Sequence, residues 1–544
     1  MKINIMDNAK ICLIDLFVGA FYSGHGLTLQ RKLYINCNPK TTAVNRLNET
    51  LDRTVLYGMF YQIQQMIRLL AIGLFSIFMA GSAGGATSAA GTLPSWVNHV
   101  GARSEPRAHR TVSVNAYGAQ GDGISNSTHS IQRAIDECSK RGGGTVTFDK
   151  GNYVTGALFL KDNVNLRIDG DVTLLGSQVD ADYPRLPTRV AGIEMAWPAA
   201  LINVNNVRNA KLSGGGTIDG RGQKWWDKYW SLRKEYEARG LRWAADYDAE
   251  RVRLMVVWRS SDIKIENLSL KRAGFWTVQV VYSDHVTVDG IKISDNSGPS
   301  TDGVDIDSSS YCLVENCDID NNDDDICLKS GRDSDGLRVN RPTEYVVIKD
   351  NIIRRGGGVV SFGSETSGGI QHVVALNNQG IGTKEGIRFK SAKTRGGYVR
   401  DVLVRGLKLE NVPLPFTFTL NWNPSYSYAT IPAGIKNVPA YWTVLSTPVI
   451  PAERGYCDFK NIRIEDADVK GATTIFSASG LPEKPIGNVT FANVTAEGGS
   501  AGSIEYASDW KMENVRLHTL DGDSVKVSNS QNVEAATVSR RSGF

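Results

Sequence analysis

Between residues 300 and 331 the chain reads STDGVDIDSSSYCLVENCDIDNNDDDICLKSG, an unusually dense run of carboxylates. Asp302 stands 21 residues before Asp323, and Asp324 follows directly. Carboxyl groups brought together can act as general acid and base, because like charges held close push at least one pKa upward. Adjacent strand residues point to opposite faces, so Asp323 and Asp324 reach one site only if the backbone bends; Asn321 and Asn322 are turn residues that allow this. Two other readings stand beside catalysis. The run can be solvated acidic turns, or a calcium site drawing on Asp305, Asp307, Asp318, Asp320 and Asp325, since calcium takes about six to eight oxygens, although no EF-hand spacing is present. Further on, Arg388 and Lys390 lie two apart, hence on one strand face. Such a pair suits a substrate carboxylate, or it can simply pair with the acidic cluster. If it holds substrate, that substrate is anionic.

Residues so far apart need a fold that returns the chain to the same place. From about Val112 onward a short phrase recurs: a polar residue, β-formers alternating about one position, then Asn, Asp or Gly. It begins at Asn163, Asp262, His285, Tyr345, Asp401, Asn461 and Asn488. Between positions 263 and 402 the intervals are about 23, 27, 33, 27 and 29 residues. Short strands with tight turns at this period imply a solenoid. The irregular spacing fits an all-β, right-handed, single-stranded parallel β-helix, whose coils stack about 4.8 Å apart; a β-propeller is the alternative. In a β-helix, positions one coil apart are near neighbours, so Asp302, Asp323 and Asp324 can converge. The one amphipathic helical stretch, Thr128 to Lys140, is placed to cap the open end. Two longer intervals are rich in aromatics: Trp225, Trp226, Tyr229, Trp230 and Trp243 in one, Phe416, Phe418, Trp422, Tyr426, Tyr428, Tyr441 and Trp442 in the other. These are expected as long loops that wall a saccharide groove or form small cores of their own.

The chain has 544 residues, 41% hydrophobic and 8% aromatic, which excludes a disordered protein. Its seven cysteines are scattered and form no Cys-x-x-Cys pair, against a disulfide scaffold or structural zinc. Leu69 to Ala80 is an apolar run after Arg68 and before small residues, the pattern of a secretory signal peptide. The expected organisation is an upstream, non-native extension over 1–65, a signal peptide over 66–83, a linker over 84–110 and a β-helix domain over 111–544. Beyond residue 83 the chain carries 53 basic and 53 acidic residues, so affinity for a charged partner must come from local arrangement. A nucleic-acid partner is not expected.

The motifs together resemble glycoside hydrolase family 28, the polygalacturonases and related pectin hydrolases. Ala116 to Gly123, Ile131 to Ile135 and Gly142 to Val146 are similar to the family's entry; Gly214 to Gly220 with Trp225 and Trp226 resembles its Gly-Thr-Ile-Asp-Gly…Trp-Trp segment. Ser300 to Gly303 resembles the Asn-Thr-Asp motif, Asn322 to Gly331 the Gly-Asp-Asp-Cys…Lys-Ser-Gly motif, and Arg388 to Lys390 the Arg-Ile-Lys motif. Two departures stand out: Ser300 replaces the usual asparagine, and Gly357 occupies the position of the family's Gly-His-Gly histidine. His372 is too far along to replace it.

The resemblance implies inverting hydrolysis of an α-galacturonosyl bond in an acidic plant cell-wall polysaccharide (pectin, galacturonan or rhamnogalacturonan), possible also in an exo-acting form. It implies Asp323 as general acid, Asp302 and Asp324 as holders of the attacking water, and Arg388 and Lys390 on the substrate carboxylate, with no metal or organic cofactor. Inversion asks for carboxyls about 6.5–9.5 Å apart, which one coil of rise plus side-chain splay can supply. A monomer, secreted or periplasmic, without an integral membrane span after processing, is expected. A calcium-dependent pectate lyase and a non-catalytic pectin-binding solenoid are the competing functions.

Overall fold

The computed structural model describes residues 92–541, together with the backbone of three strands near the start, Lys2–Asp7, Lys10–Ser23 and Gly26–Asn36, which pair as an antiparallel meander. Regular strands there were not legible in the sequence, which shows no clear periodicity over 1–65. The apolar run 69–80 lies outside the described residues. Among the described residues no helix is long and apolar enough to cross a membrane.

From Thr111 on, the chain is a right-handed parallel β-helix. Its strands join one continuous sheet of 35 strands, each pairing in parallel with the strand one coil away. A propeller would instead need separate antiparallel blades. Alternation makes the coil: in Ser261–Glu266 and Val172–Gly176 every second residue is buried. The phrase's first residue is a corner. Asn163, Asp262, His285, Tyr345, Asp401, Asn461 and Asn488 all have φ between 49° and 61°, a left-handed conformation that Asn, Asp and His tolerate best. Where the corner residue is a ring, the rings stack. His285, Tyr311, Tyr345 and His372 form a ladder with centroids 4.9, 4.8 and 5.0 Å apart. His372 is thereby part of an outer ladder.

Seven stacked strands form the sheet beneath the acidic cluster: β1 (Met255–Trp258), β2 (Val278–Val281), β3 (Val304–Asp307), β4 (Ile326–Lys329), β5 (Val360–Phe362), β6 (Glu385–Lys390) and β7 (Leu414–Thr419). The register aligns Ile306, Leu328, Phe362, Phe389 and Phe418 in one inward column. Phe389 stacks on Phe362 at 4.4 Å and on Phe418 at 4.7 Å. Phe416 and Phe418 therefore belong to the solenoid core, not to an aromatic loop. Phe389→Ala opens a cavity in the middle of this stack and is expected to cost about 3–5 kcal/mol; denaturant unfolding checks this, and a loss under about 1 kcal/mol would contradict the stacking.

The helix Thr128–Lys140 buries Ile131, Ala134, Ile135 and Cys138 against the first coils and caps that end. Ahead of it, residues 95–105 run as a strap across the outside of successive coils. Trp96 meets Tyr345 edge-on at 5.5 Å, and Gly101 N–H donates to the Tyr311 carbonyl. Arg103 pairs with Asp262 at 2.8 Å, and Glu105 with Lys211 at 2.8 Å and Lys264 at 2.9 Å.

Candidate active site

Asp302 lies in the turn entering β3, and Asp323 and Asp324 in the turn entering β4. The two turns stack: the Gly303 N–H donates to the Asp324 carbonyl at 2.9 Å, and Val304 N–H to the Asp325 carbonyl at 2.8 Å. The bend required for neighbouring aspartates to share a site is there, fixed by Asn321, whose side-chain amide donates to the Asp324 carbonyl. Asp302 and Asp324 are buried, while Asp323 is half-buried. Nearest oxygens of the three carboxyls lie within 4.8 Å of one another. The stacked turns are a single coil rise apart, and all three side chains line one cleft.

Arg388 and Lys390 project from β6 onto the same face, with Phe389 between them turned into the core. Lys390 Nζ sits 2.5 Å from Asp324 Oδ2, and Arg388 is 3.1 Å from Asp324 Oδ1 and 2.9 Å from Glu385. Both cations thus pair with Asp324. Several partners were missed in the sequence. Ser361 Oγ donates to Asp324 Oδ1 at 2.8 Å. Lys329, 3.4 Å from both Asp302 and Asp305 and 3.6 Å from Glu365, anchors the floor. Its signal was its register: it ends β4 opposite Asp307, on the outward face.

These contacts split the proton affinities. Burial, then Asp305 and Asp323, drive Asp302 well above the usual carboxylate range. Burial also pushes Asp324 upward, but Lys390, Arg388 and Lys329 overcome it and hold the group well below that range. Glu365 is treated the same way: burial raises it, and Lys329, Arg395 and Lys390 bring it to about 2. Asp305 is fully buried and burial, only partly offset by Lys329, lifts it to about 7. Between about pH 4 and pH 7 folded Asp305 keeps a proton that the unfolded chain releases, so the unfolded state binds fewer protons and stability falls as pH rises. Asp305→Asn is expected to make this fall shallower, Asp302 retaining its share; melting temperatures at pH 5 and pH 8 check it, and an unchanged difference would refute it.

Asp302 with Asp323 and Asp324, or with Asp305 and Cys327, offers ligand atoms close enough for a cation. The Lys329 ammonium already supplies positive charge to Asp302 and Asp305. Of the calcium candidates, Asp318 and Asp320 instead face outward to Arg354 and Arg355 at 2.7 Å each. Gly357, in place of the histidine, packs against the turn that carries Asp323 and Asp324: its N–H donates to the Asp323 carbonyl at 2.6 Å, and a Cβ there would meet Asp323 and Asp324 backbone atoms at 3.1 Å.

Three inserted segments border the cleft. They are the hairpin Arg185–Val190 with Ile193–Pro198, the segment 223–249 and the loop 420–457. They fuse into one aromatic core around Trp197, Trp243, Tyr247, Phe275 and Trp442. Ala191, Arg242, Asp246, Trp422 and Tyr426 from these segments line the cleft beside the aspartates. Of the aromatics in the two long intervals, Trp422 and Tyr426 line the cleft, while Trp243 and Trp442 build the core. Ser300 donates to Asp246 at 3.1 Å.

The sequence profile of Glycosyl hydrolases family 28 matches residues 138–436. A probable polygalacturonase of Vitis vinifera is 30% identical over 400 residues, covering 72% of this chain and 74% of its own. An exo-poly-alpha-D-galacturonosidase of Dickeya chrysanthemi is 26% identical, covering 76% and 75%. Among solved structures, a hyperthermoactive exopolygalacturonase from Thermotoga maritima shares the fold with a TM-score of 0.63 at 24% identity, over 81% of this chain and 95% of that one. With its motifs in order on stacked coils and this match across more than half its length, the chain belongs to glycosyl hydrolase family 28.

Proposed function

We propose that this glycoside hydrolase cleaves α-galacturonosyl links of pectic polymers by inversion, taking them from the chain end. One observation carries the reading: three carboxyls and two cations share a cleft that the inserted segments border. Asp323, the most accessible of the trio, protonates the leaving oxygen. Asp324, kept ionised by Lys390 and Arg388, accepts the proton of the attacking water. A protonated Asp302 still offers an acceptor oxygen and orients that water. An arriving galacturonate carboxylate competes with Asp324 for Arg388 and Lys390, so substrate binding and release of the base are linked. The similarity to an exo-poly-alpha-D-galacturonosidase supports exo action. We place the enzyme outside the cytoplasm, its residues 66–83 serving as signal peptide and 1–65 as a non-native extension.

Chromatography of early products tests this. From polygalacturonate, short uronides of one length released from the start are expected. A ladder of mixed oligomers would overturn the exo assignment, and unsaturated products absorbing in the ultraviolet would overturn hydrolysis.

A further inference from the structure

The catalytic turn lies at one edge of the sheet β1 to β4. At the opposite edge, about 13 Å away by strand length, the chain leaving β1 and β2 opens into a second groove of about 670 Å³. Arg208, Arg259 and Arg341 line it, all three exposed. None forms an ion pair among the described residues. Arg259 lies 5.3 Å from the Trp258 ring and 5.8 Å from the Tyr282 ring, and Arg341 lies 5.4 Å from Tyr282 on its own side. Below them Arg189, also 5.1 Å from Tyr282, is already neutralised by Asp307. Of the groove's two carboxylates, Glu194 accepts from the Tyr282 hydroxyl at 3.0 Å and pairs with Arg338 at 2.6 Å, while Asp284 meets His285 at 2.7 Å and offsets part of the charge facing Arg341.

Like charges gathered around one ring repel one another, and an anion bound between them relieves that repulsion. Desolvation lowers the proton affinity of Arg341, and Tyr282 and Asp284 only partly offset it. Guanidinium forks match carboxylates, and Tyr282, itself buried, holds Arg259 and Arg341 from beneath. Exposed guanidinium groups in this arrangement fit a carboxylated sugar chain better than a neutral one.

We propose that this groove is a second, non-catalytic binding site for an acidic polysaccharide, with Arg259 and Arg341 taking uronate carboxylates. The ligand class rests on the substrate reading above; the site itself does not. By tethering the polymer, it raises the local concentration of substrate at the cleft.

The test compares Asp323→Asn with Asp323→Asn/Arg259→Ala/Arg341→Ala by affinity electrophoresis in polygalacturonate at low salt. Weakening of about five- to tenfold is expected from two exposed charge contacts. In the catalytically intact chain, Arg259→Ala/Arg341→Ala is expected to raise KM on polymer while leaving kcat/KM on digalacturonate, too short to reach both sites, unchanged. Should the double variant fold poorly, the single charge reversal Arg259→Glu gives the same readout. Equal retention of the two proteins, or equal retention in fully methyl-esterified polymer, would overturn the proposal. Normal hydrolysis by Asp323→Asn would instead refute the assignment of the acid and leave this binding comparison standing.

Discussion

If Asp323 is the general acid proposed above, Asp323→Asn is expected to lower kcat on polygalacturonate by about a thousandfold, within the range of about 10²–10⁴ attributed to a positioned general acid or base. The amide keeps the shape of the side chain and cannot give the leaving oxygen a proton. The turn around it is held by main-chain bonds from Gly357 and by Asn321, so the melting temperature is expected to stay close to that of the parent. An aryl galacturonide with a good leaving group separates the roles, since departure there needs no protonation. Asp323→Asn recovers most of its turnover on that substrate, whereas Asp324→Asn, having lost the base, stays slow on both. Near-normal release of reducing ends by Asp323→Asn from the polymer would refute the assignment.

Lys390→Ala has a double effect. Lys390 and Asp324 are both buried, and their oxygen and nitrogen are 2.5 Å apart. Removing one partner of a buried pair leaves an uncompensated charge, at a cost of about 3–5 kcal/mol. Arg388, Ser361 and Lys329 remain near Asp324, which places the expectation at about 3 kcal/mol, the lower end of that range. Turnover is expected to fall as well, since the proposed base would no longer be held ionised and a proposed ligand of the substrate carboxylate would be lost. Lys390→Met combined with Asp324→Asn restores most of the stability and none of the activity. Denaturant midpoints of the two variants check this; a single-variant loss below about 1 kcal/mol would mean that the pair is screened by water.

Much of the architecture was legible because a β-helix writes each coil the same way. The phrase beginning at Asp262, His285 or Asn461 marks the left-handed corner and the alternating strand after it, and both follow from local chemistry. The convergence of Asp302 with Asp323 and Asp324 was legible for the same reason, as was the shared face of Arg388 and Lys390. Other features depend on contacts that no local pattern encodes. The fusion of 185–198, 223–249 and 420–457 into one core joins residues as distant as Trp197 and Trp442. Lys329 reads as an ordinary strand terminus until the register sets it beside Asp302, Asp305 and Glu365. Phe416 and Phe418 sit at the edge of a long irregular interval, so their place in the inward column was hidden. The close approach of the carboxyls follows from turn geometry, which sequence spacing leaves open.

The strap over residues 95–105 has a bearing on how the molecule unfolds. In a solenoid each coil touches only its neighbours, so the ends can fray one layer at a time. Here a single segment grips coils from Lys211 to Tyr345, and peeling the first layers away must also release Trp96 from the ring it abuts far down the stack. Loss of order at the amino-terminal end is thereby tied to the layer next to the aspartates, and the early coils are expected to exchange their amide protons in one concerted step rather than in sequence.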